Sequence, residues 1–381
     1  MSDRSKIDGW KDHILFTPGP LTTSRAVKQA MLRDLGARDG EYLAIIREIR
    51  DQLLKIANLN KGEYEAVLMQ GCGTMGLESV VGSAIPPNGK FLVLANGAYG
   101  KRIAEMAKVL NIETLTHETP ENQHPDLVRL ENELKSDKAI THVCVVHCET
   151  TSGIVNPIED IGRIVKQYNR AYFVDAMCSF GAMPIDFAAC GIDYLVSSAN
   201  KCIEGVPGFS YIIAKRDALQ STKGNARSLS MDLYNQWHEM EEQGHFRYTP
   251  PTHSSLAFHQ ALLELEQEGG VEARANRYKH NYEVLIEGMR KIGFNEYLLP
   301  ELQGYIITTF LYPNHPNFDY EIFYQKLREK DQVIYSGKVS DEPCFRIGNI
   351  GRIFESDVRI LLACIRETLQ EMKIQLEPII P

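Results

Sequence analysis

The chain has 381 residues, enough for a large buried core and a second, smaller unit. Its 41 basic and 50 acidic residues leave a net charge of -9, which excludes the electrostatic footprint of a nucleic-acid binder or of a protein held on an anionic membrane. The apolar runs VLMQGCG, FLVLAN, HVCVVHC and YLVSSA are strand length, far short of the ~20 residues that a membrane span needs, and the polar start MSDRSKIDGWKD does not read as an export signal. A cytoplasmic protein with neither nucleic-acid nor membrane partners is therefore expected. Eight cysteines at 72, 144, 148, 178, 190, 202, 344 and 364 form no CxxC pair and no zinc-like spacing, so they read as reduced thiols and no metal site is expected.

In chain order, 13–24 (HILFTPGPLTTS) is a proline-stiffened extended arm, either a tether across domains or a substrate contact, that leads into a helix capped by Thr22, Thr23 or Ser24. Residues 41–59 show apolar residues at helical spacing with charges on the other face. The stretch 65–85 runs strand, glycine turn, helix, and its QGCGT turn lets the backbone approach a ligand while Thr74 and the first helical N–H groups suit a phosphate. The same rhythm recurs at 90–110, where Tyr99 in NGAYG either lays its ring on a flat cofactor or covers the strand end. It recurs again through 141–153 and 160–181, and 193–201 adds a further strand. This repetition predicts a doubly wound α/β protein with a mainly parallel sheet between helices, whose ligands gather beyond the carboxyl ends of the strands.

Two of those strand ends carry the chemistry. VDAM (174–177) ends a buried run in Asp175, and SSANK (197–201) ends another in Lys201. A lysine there suits Schiff-base chemistry, because partial desolvation makes an amine nucleophilic. An aspartate ending a parallel strand can hold a pyridinium nitrogen protonated, as a pyridoxal phosphate ring requires. Gly71–Thr74, Tyr99, Glu149–Ser152, Asp175 and Lys201 all fall at such ends. After Lys201 come a strand leaving the site (205–219), a loop-rich segment from 227, and a long helix from near His253. Beyond Gly269-Gly270 the order is helix 271–293, strand 304–313, helix 321–330, strand 344–349 and helix 356–372. That order predicts a small α+β domain. Arg346 lies within its second strand and faces either solvent or the cleft, where its fork could grip a carboxylate or phosphonate.

Taken together, FTPGPLT (16–22), QGCGTMGLE (70–78), NGAYGKR (96–102), HCETTSG (147–153), VDAMCSFG (174–181), SSANKCIEGVPGF (197–209), RSLSMDLY (227–234), RYTPPTH (247–253), EQEGGVEAR (266–274) and FRIGNIG (345–351) resemble the class V, fold-type I pyridoxal-phosphate aminotransferases. The likeness covers nearly the whole chain and is strongest toward members that use 2-aminoethylphosphonate and pyruvate. It implies a large domain over 21–268 with a seven-stranded sheet, a small domain over 269–381 and an arm over 1–20. It further implies pyridoxal 5'-phosphate as cofactor and a homodimer with shared active sites.

Position by position, the resemblance makes Lys201 the Schiff-base residue and Asp175 the partner of the ring nitrogen. Gly73, Thr74 and Met75 would hold the phosphate with Asn200 beside it, and Tyr99 would stack on the ring. Thr151, or else Thr150, would touch the ring or its phenolic oxygen, and Thr249 would reach the neighbouring subunit's cofactor. Arg346 would bind the substrate anion, with Thr17 and Gly19 of the arm as further substrate contacts. One stretch departs from the pattern: 30–42 (AMLRDLGARDGEY) has no tryptophan where many phosphonate transaminases carry a tryptophan-rich segment. Alanine- or serine-glyoxylate transaminases share these motifs and form the alternative. A cysteine desulfurase would need a mobile catalytic cysteine, whereas Cys202 and Cys344 sit by strand ends. A dinucleotide-binding dehydrogenase would need GxGxxG and an acidic residue after the next strand, and both are missing.

Overall fold

The computed structural model describes residues 12–379. Seven strands form the main sheet in the order Tyr64–Gln70, Phe209–Lys215, Tyr194–Ser198, Ala171–Asp175, Ile140–Val146, Lys90–Ala95, Glu113–Glu118. Only Phe209–Lys215 runs antiparallel to its neighbours. The central strands are apolar along their whole length because helices cover both faces, so nearly every residue is buried. The edge strand Glu113–Glu118 is mostly half-buried or exposed instead, because one of its flanks is open to solvent. One hydrophobic core, from Val27 to Leu265, fills the space between this sheet and its helices. The chain is thus the mainly parallel α/β protein expected, and all the parallel strands end on one side.

The helices start where capping chemistry allows. Ser24 caps Arg25–Ala30 by accepting from the Val27 N–H at 3.0 Å, which resolves the three-way choice at the arm's end. Thr22 does something else: its hydroxyl accepts the Leu15 N–H at 2.8 Å and folds the arm back on itself. Asp232 caps Leu233–Glu242, a helix inside the segment expected to be loop-rich. Leu233, Trp237 and Met240 bury its inner face, at the spacing of a helical stripe.

A second core holds Phe16 together with residues from Leu285 to Ile374. It lies on a three-stranded antiparallel sheet, Ile307–Leu311, Cys344–Gly348 and Tyr335–Ser336, packed by Gly270–Ile292, Tyr320–Glu329 and Glu355–Glu371. The arm belongs to this unit: Ile14 and Leu15 pair in parallel with Gln332 and Val333. From there the arm crosses to the carboxyl ends of the main sheet. No helix among the described residues is long and apolar enough to cross a membrane.

Candidate active site

The carboxyl ends of five strands of the main sheet, with the turns that follow them, meet at a cavity of about 230 Å³. Its walls include Gly73 and Thr74 from one turn, Tyr99 and Arg102 from the next, and Cys148 and Thr150 from the third. Asp175 comes from the fourth, and Asn200 with Lys201 from the fifth. A roomier hollow of about 390 Å³ at Gln52, Leu262 and Gly270 brings no such groups together, and its lysine, Lys55, is already paired with Glu266 at 2.7 Å.

Lys201 follows the strand Tyr194–Ser198, and its Nζ donates to the Pro18 carbonyl of the arm at 2.8 Å. Gly19 lies directly against it. A Cβ there would come within 2.8 Å of Lys201 Cδ and 2.9 Å of the Asn200 carbonyl, on a backbone at φ +112° that only glycine adopts without strain. Beneath Lys201, the Arg274 Nη1 donates to the Cys202 carbonyl at 2.7 Å. Glu204, held at φ +67°, accepts from the Tyr278 hydroxyl at 2.6 Å and from Arg277 at 2.7 Å. Arg277 also donates to the carbonyls of Gly351 and Ile353. A buried charge network rooted in Gly270–Ile292 therefore fixes the turn that carries the lysine.

Asp175 is 1% exposed and faces the cavity. Its Oδ1 accepts the Met177 N–H at 2.9 Å. Burial pushes its carboxyl up to about 7, helped by the nearby charge of Glu149 and opposed by the Met177 hydrogen bond. Lys201 and Arg102 act on this buried carboxyl only at a distance, with no ion pair among the described residues, and the protonated ring nitrogen of pyridoxal phosphate would supply a direct partner. The helix Gly73–Ala84 points its N-terminus at the same space with no side-chain cap, so the Gly73 and Thr74 N–H groups and the Thr74 hydroxyl suit an anion. Met75 is placed differently: its N–H donates to the Cys72 carbonyl at 2.9 Å, and its side chain lies over Gly71, partly in solvent. Lys201, Asp175 and this helix end together fit the cofactor.

The NGAYG turn is organised by Glu149, which the sequence placed at a strand end without giving it a role. Glu149 is wholly buried, and its carboxylate accepts the Gly100 N–H at 3.1 Å, the Thr151 N–H at 3.1 Å and the Thr151 hydroxyl at 2.6 Å. Thr151 in turn accepts the Ala98 N–H at 2.8 Å. Its hydroxyl donates to Glu149 and accepts from Ala98, bracing the Tyr99 turn, and Thr150 is the threonine that lines the cavity. Burial raises the Glu149 carboxyl, with its hydrogen bonds pulling the other way.

Arg346 is buried at the seam between the two units rather than facing solvent. Its Nε donates to the Ser336 carbonyl at 2.9 Å and its Nη1 to the Thr150 carbonyl at 2.7 Å, so it stands one residue behind the cavity wall. Thr17 is buried with its hydroxyl donating to the Pro20 carbonyl at 2.5 Å. Thr249 is exposed and outside the cavity. Cys72, Cys148 and Cys178 line the cavity, while Cys202 packs just beneath with Cys148 and Cys178. Sequence reasoning left out Arg102, although its signal was present: it follows Tyr99 by three residues on one helix face.

The class-V aminotransferase family model matches residues 23–368. The chain is 52% identical over 351 residues to a 2-aminoethylphosphonate–pyruvate transaminase of Bacillus cereus (strain Q1), covering 92% of this chain and 96% of the relative. It is 51% identical over 360 residues to the like-named protein of Vibrio vulnificus (strain CMCP6), covering 94% and 98%. Among solved structures, pyridoxamine-pyruvate aminotransferase from Mesorhizobium loti superposes with a TM-score of 0.87 at 26% identity, covering 96% of this chain and 94% of that one. With its sheet order, the lysine and aspartate at adjacent strand ends and this family match over most of its length, the chain belongs to the class-V aminotransferases, fold-type I enzymes that use pyridoxal phosphate.

Proposed function

We propose that this protein moves the amino group of 2-aminoethylphosphonate to pyruvate, giving phosphonoacetaldehyde and L-alanine in two half-reactions that share one site. The observation that carries the reading is the meeting of Lys201, Asp175 and an uncapped helix end in one cavity, with Arg346 at its back wall. The names of relatives about half identical over nearly the full chain support the substrate pair.

Bound in this cavity, pyridoxal phosphate supplies an aldehyde to receive the amino group and a positive ring that draws electrons from the carbon losing a proton. The chain does the rest. Lys201 Nζ would be the amine that holds the aldehyde and, once freed by the incoming amine, the base that would move the proton from the substrate carbon. Pro18, Gly19 and the Arg274–Glu204 network hold that nitrogen in place. Asp175, charged when it faces a positive ring, would keep the ring nitrogen protonated. Gly73, Thr74 and Asn200 would hold the phosphate and Tyr99 would cover the ring, with Thr150 as the threonine on the cavity wall. Arg346 is the cation behind the wall that steers the substrate anion, and the arm around Thr17 and Gly19 closes over it.

The assembly is a homodimer in the cytoplasm, with Thr249, exposed here, reaching the neighbouring cofactor. Its domains are the arm to residue 20, the large domain over 21–268 and the small domain over 269–381; residues 1–11 of the arm lie outside those described. The test is a half-reaction: holoenzyme mixed with 2-aminoethylphosphonate and no keto acid. Loss of the visible cofactor band, restored by pyruvate with formation of alanine, is the expected result. A band that persists with this amine but is lost with alanine or serine reassigns the enzyme to the glyoxylate-type transaminases.

A further inference from the structure

The segment 337–343, between the strands Tyr335–Ser336 and Cys344–Gly348, is a strap from the small unit laid across the large one. The Ser340 N–H donates to Glu121 Oε2 at 2.7 Å, and the Tyr297 hydroxyl meets the Asp341 carboxylate at 2.9 Å. The strap places Lys338 Nζ 3.9 Å from the centre of the Tyr99 ring, and Arg102 Cζ lies 5.0 Å from the same centre. Tyr99 and Arg102 line the cavity with Lys201. Among the described residues, neither Lys338 nor Arg102 lies within ion-pair distance of a carboxylate. The carboxylates nearby are already engaged: Glu149 by Gly100 and Thr151, Glu121 by Ser340, Glu118 by Lys101. Two cations thus stand at one aromatic ring with no carboxylate in direct contact among the described residues; the buried charges of Glu149 and Asp175 reach Lys338 and Arg102 only at longer range.

Arg346 is part of the same wall, since the Ser336 carbonyl that holds its Nε lies two residues before Lys338. With Nε and Nη1 both committed to carbonyls, Arg346 keeps its other terminal nitrogen for a ligand, which suits the single charge of a carboxylate. A phosphonate presents three oxygens and close to two charges. We propose that Lys338 and Arg102 form the phosphonate-selective part of the anion site, completing the charge that Arg346 alone cannot match and so separating the amine donor from the keto acid. The inference rests on the function proposed above. A cation held only on a π face is readily given up to an anion, because a charge-assisted hydrogen bond is the stronger contact.

The experiment compares wild type, Lys338→Gln and Lys338→Arg as holoenzymes, with methylphosphonate and acetate as dead-end competitors and with the two half-reactions measured separately. Losing one charge-assisted bond weakens an anion by about 10-fold or more. Lys338→Gln is expected to raise the methylphosphonate inhibition constant and the KM for 2-aminoethylphosphonate by that factor, and to move the acetate and alanine values less than about twofold, with Lys338→Arg restoring most of the loss. Equal shifts for phosphonate and carboxylate would mean that the strap only braces Tyr99, and no shift would mean that Lys338 is a bystander; either overturns the proposal. If the wild-type protein fails to use 2-aminoethylphosphonate, the function proposed above falls, and the methylphosphonate series still decides the role of Lys338.

Discussion

Replacing Asp175 with asparagine should make the empty protein more stable and the loaded enzyme inactive. Burial carries this carboxyl from its ordinary 3.8 up to about 7. Between those values the folded chain holds a proton that the unfolded chain has released, so the stability of the cofactor-free protein falls as pH rises from about 4 to about 7. At about 1.4 kcal/mol for each tenfold in proton affinity, ionised Asp175 costs the empty fold roughly 4 kcal/mol above pH 7. The substituted side chain would still accept the Met177 N–H through its amide oxygen and would carry no charge to desolvate. Denaturant unfolding of cofactor-stripped wild type and Asp175→Asn at pH 5 and pH 8 measures the effect. The variant's advantage should be about 1.5 kcal/mol at pH 5 and grow to roughly 4 kcal/mol at pH 8, while transamination by the reloaded variant drops by orders of magnitude. An advantage that is equal at the two pH values, or absent, refutes the claim that Asp175 is held ready for a cationic partner.

Lys201→Ala should abolish turnover while leaving the circular dichroism spectrum of the folded chain unchanged; retained activity would sink the mechanism. Gly97→Ala tests the bracing of Tyr99. The backbone at Gly97 is extended and unstrained, but a Cβ would lie 2.7 Å from Glu149 Oε1, and Glu149 is too tightly hydrogen-bonded to retreat. A loss of about 1–3 kcal/mol in stability, together with weaker cofactor binding by titration, is expected; wild-type values in both would show that Glu149 is free to move. Arg346→Lys removes the planar fork that reaches Ser336 and Thr150 together, so the KM of both substrates should rise about 10- to 100-fold with little change in fluorescence of bound cofactor. An unchanged KM for either substrate would remove Arg346 from the site.

Much of this was legible in the sequence because the signals are local. A buried strand, a glycine turn and a helix repeat along the large unit, and chain direction alone brings their carboxyl ends together, which is why Asp175, Lys201, Tyr99 and the Gly73-Thr74 turn could be read before any coordinates. What escaped depends on contacts between distant segments. Nothing in HCETTSG says that Thr151 turns toward Glu149 and Ala98 while Thr150 faces the cavity; that follows from where NGAYG docks. Lys338 lies in a polar loop with no motif, and only the docking of Ser340 on Glu121 brings it to Tyr99. The helix Leu233–Glu242 is a different matter: its apolar stripe and its Asp232 cap are both visible, yet flanking loop residues mask them.

The arm also has a bearing on the order in which the molecule comes together. Ile14, Leu15 and Phe16 complete the small unit by joining Gln332, Val333 and a core that extends to Ile374, so residues synthesised early must wait for partners synthesised late. Contacts of such sequence separation form slowly compared with the helices and neighbouring strands of the main sheet. The Pro18 carbonyl that positions the Lys201 amine arrives with that arm. Catalytic competence is therefore timed to the last stage of folding, and a nascent chain with its large sheet already built would still lack a finished active site.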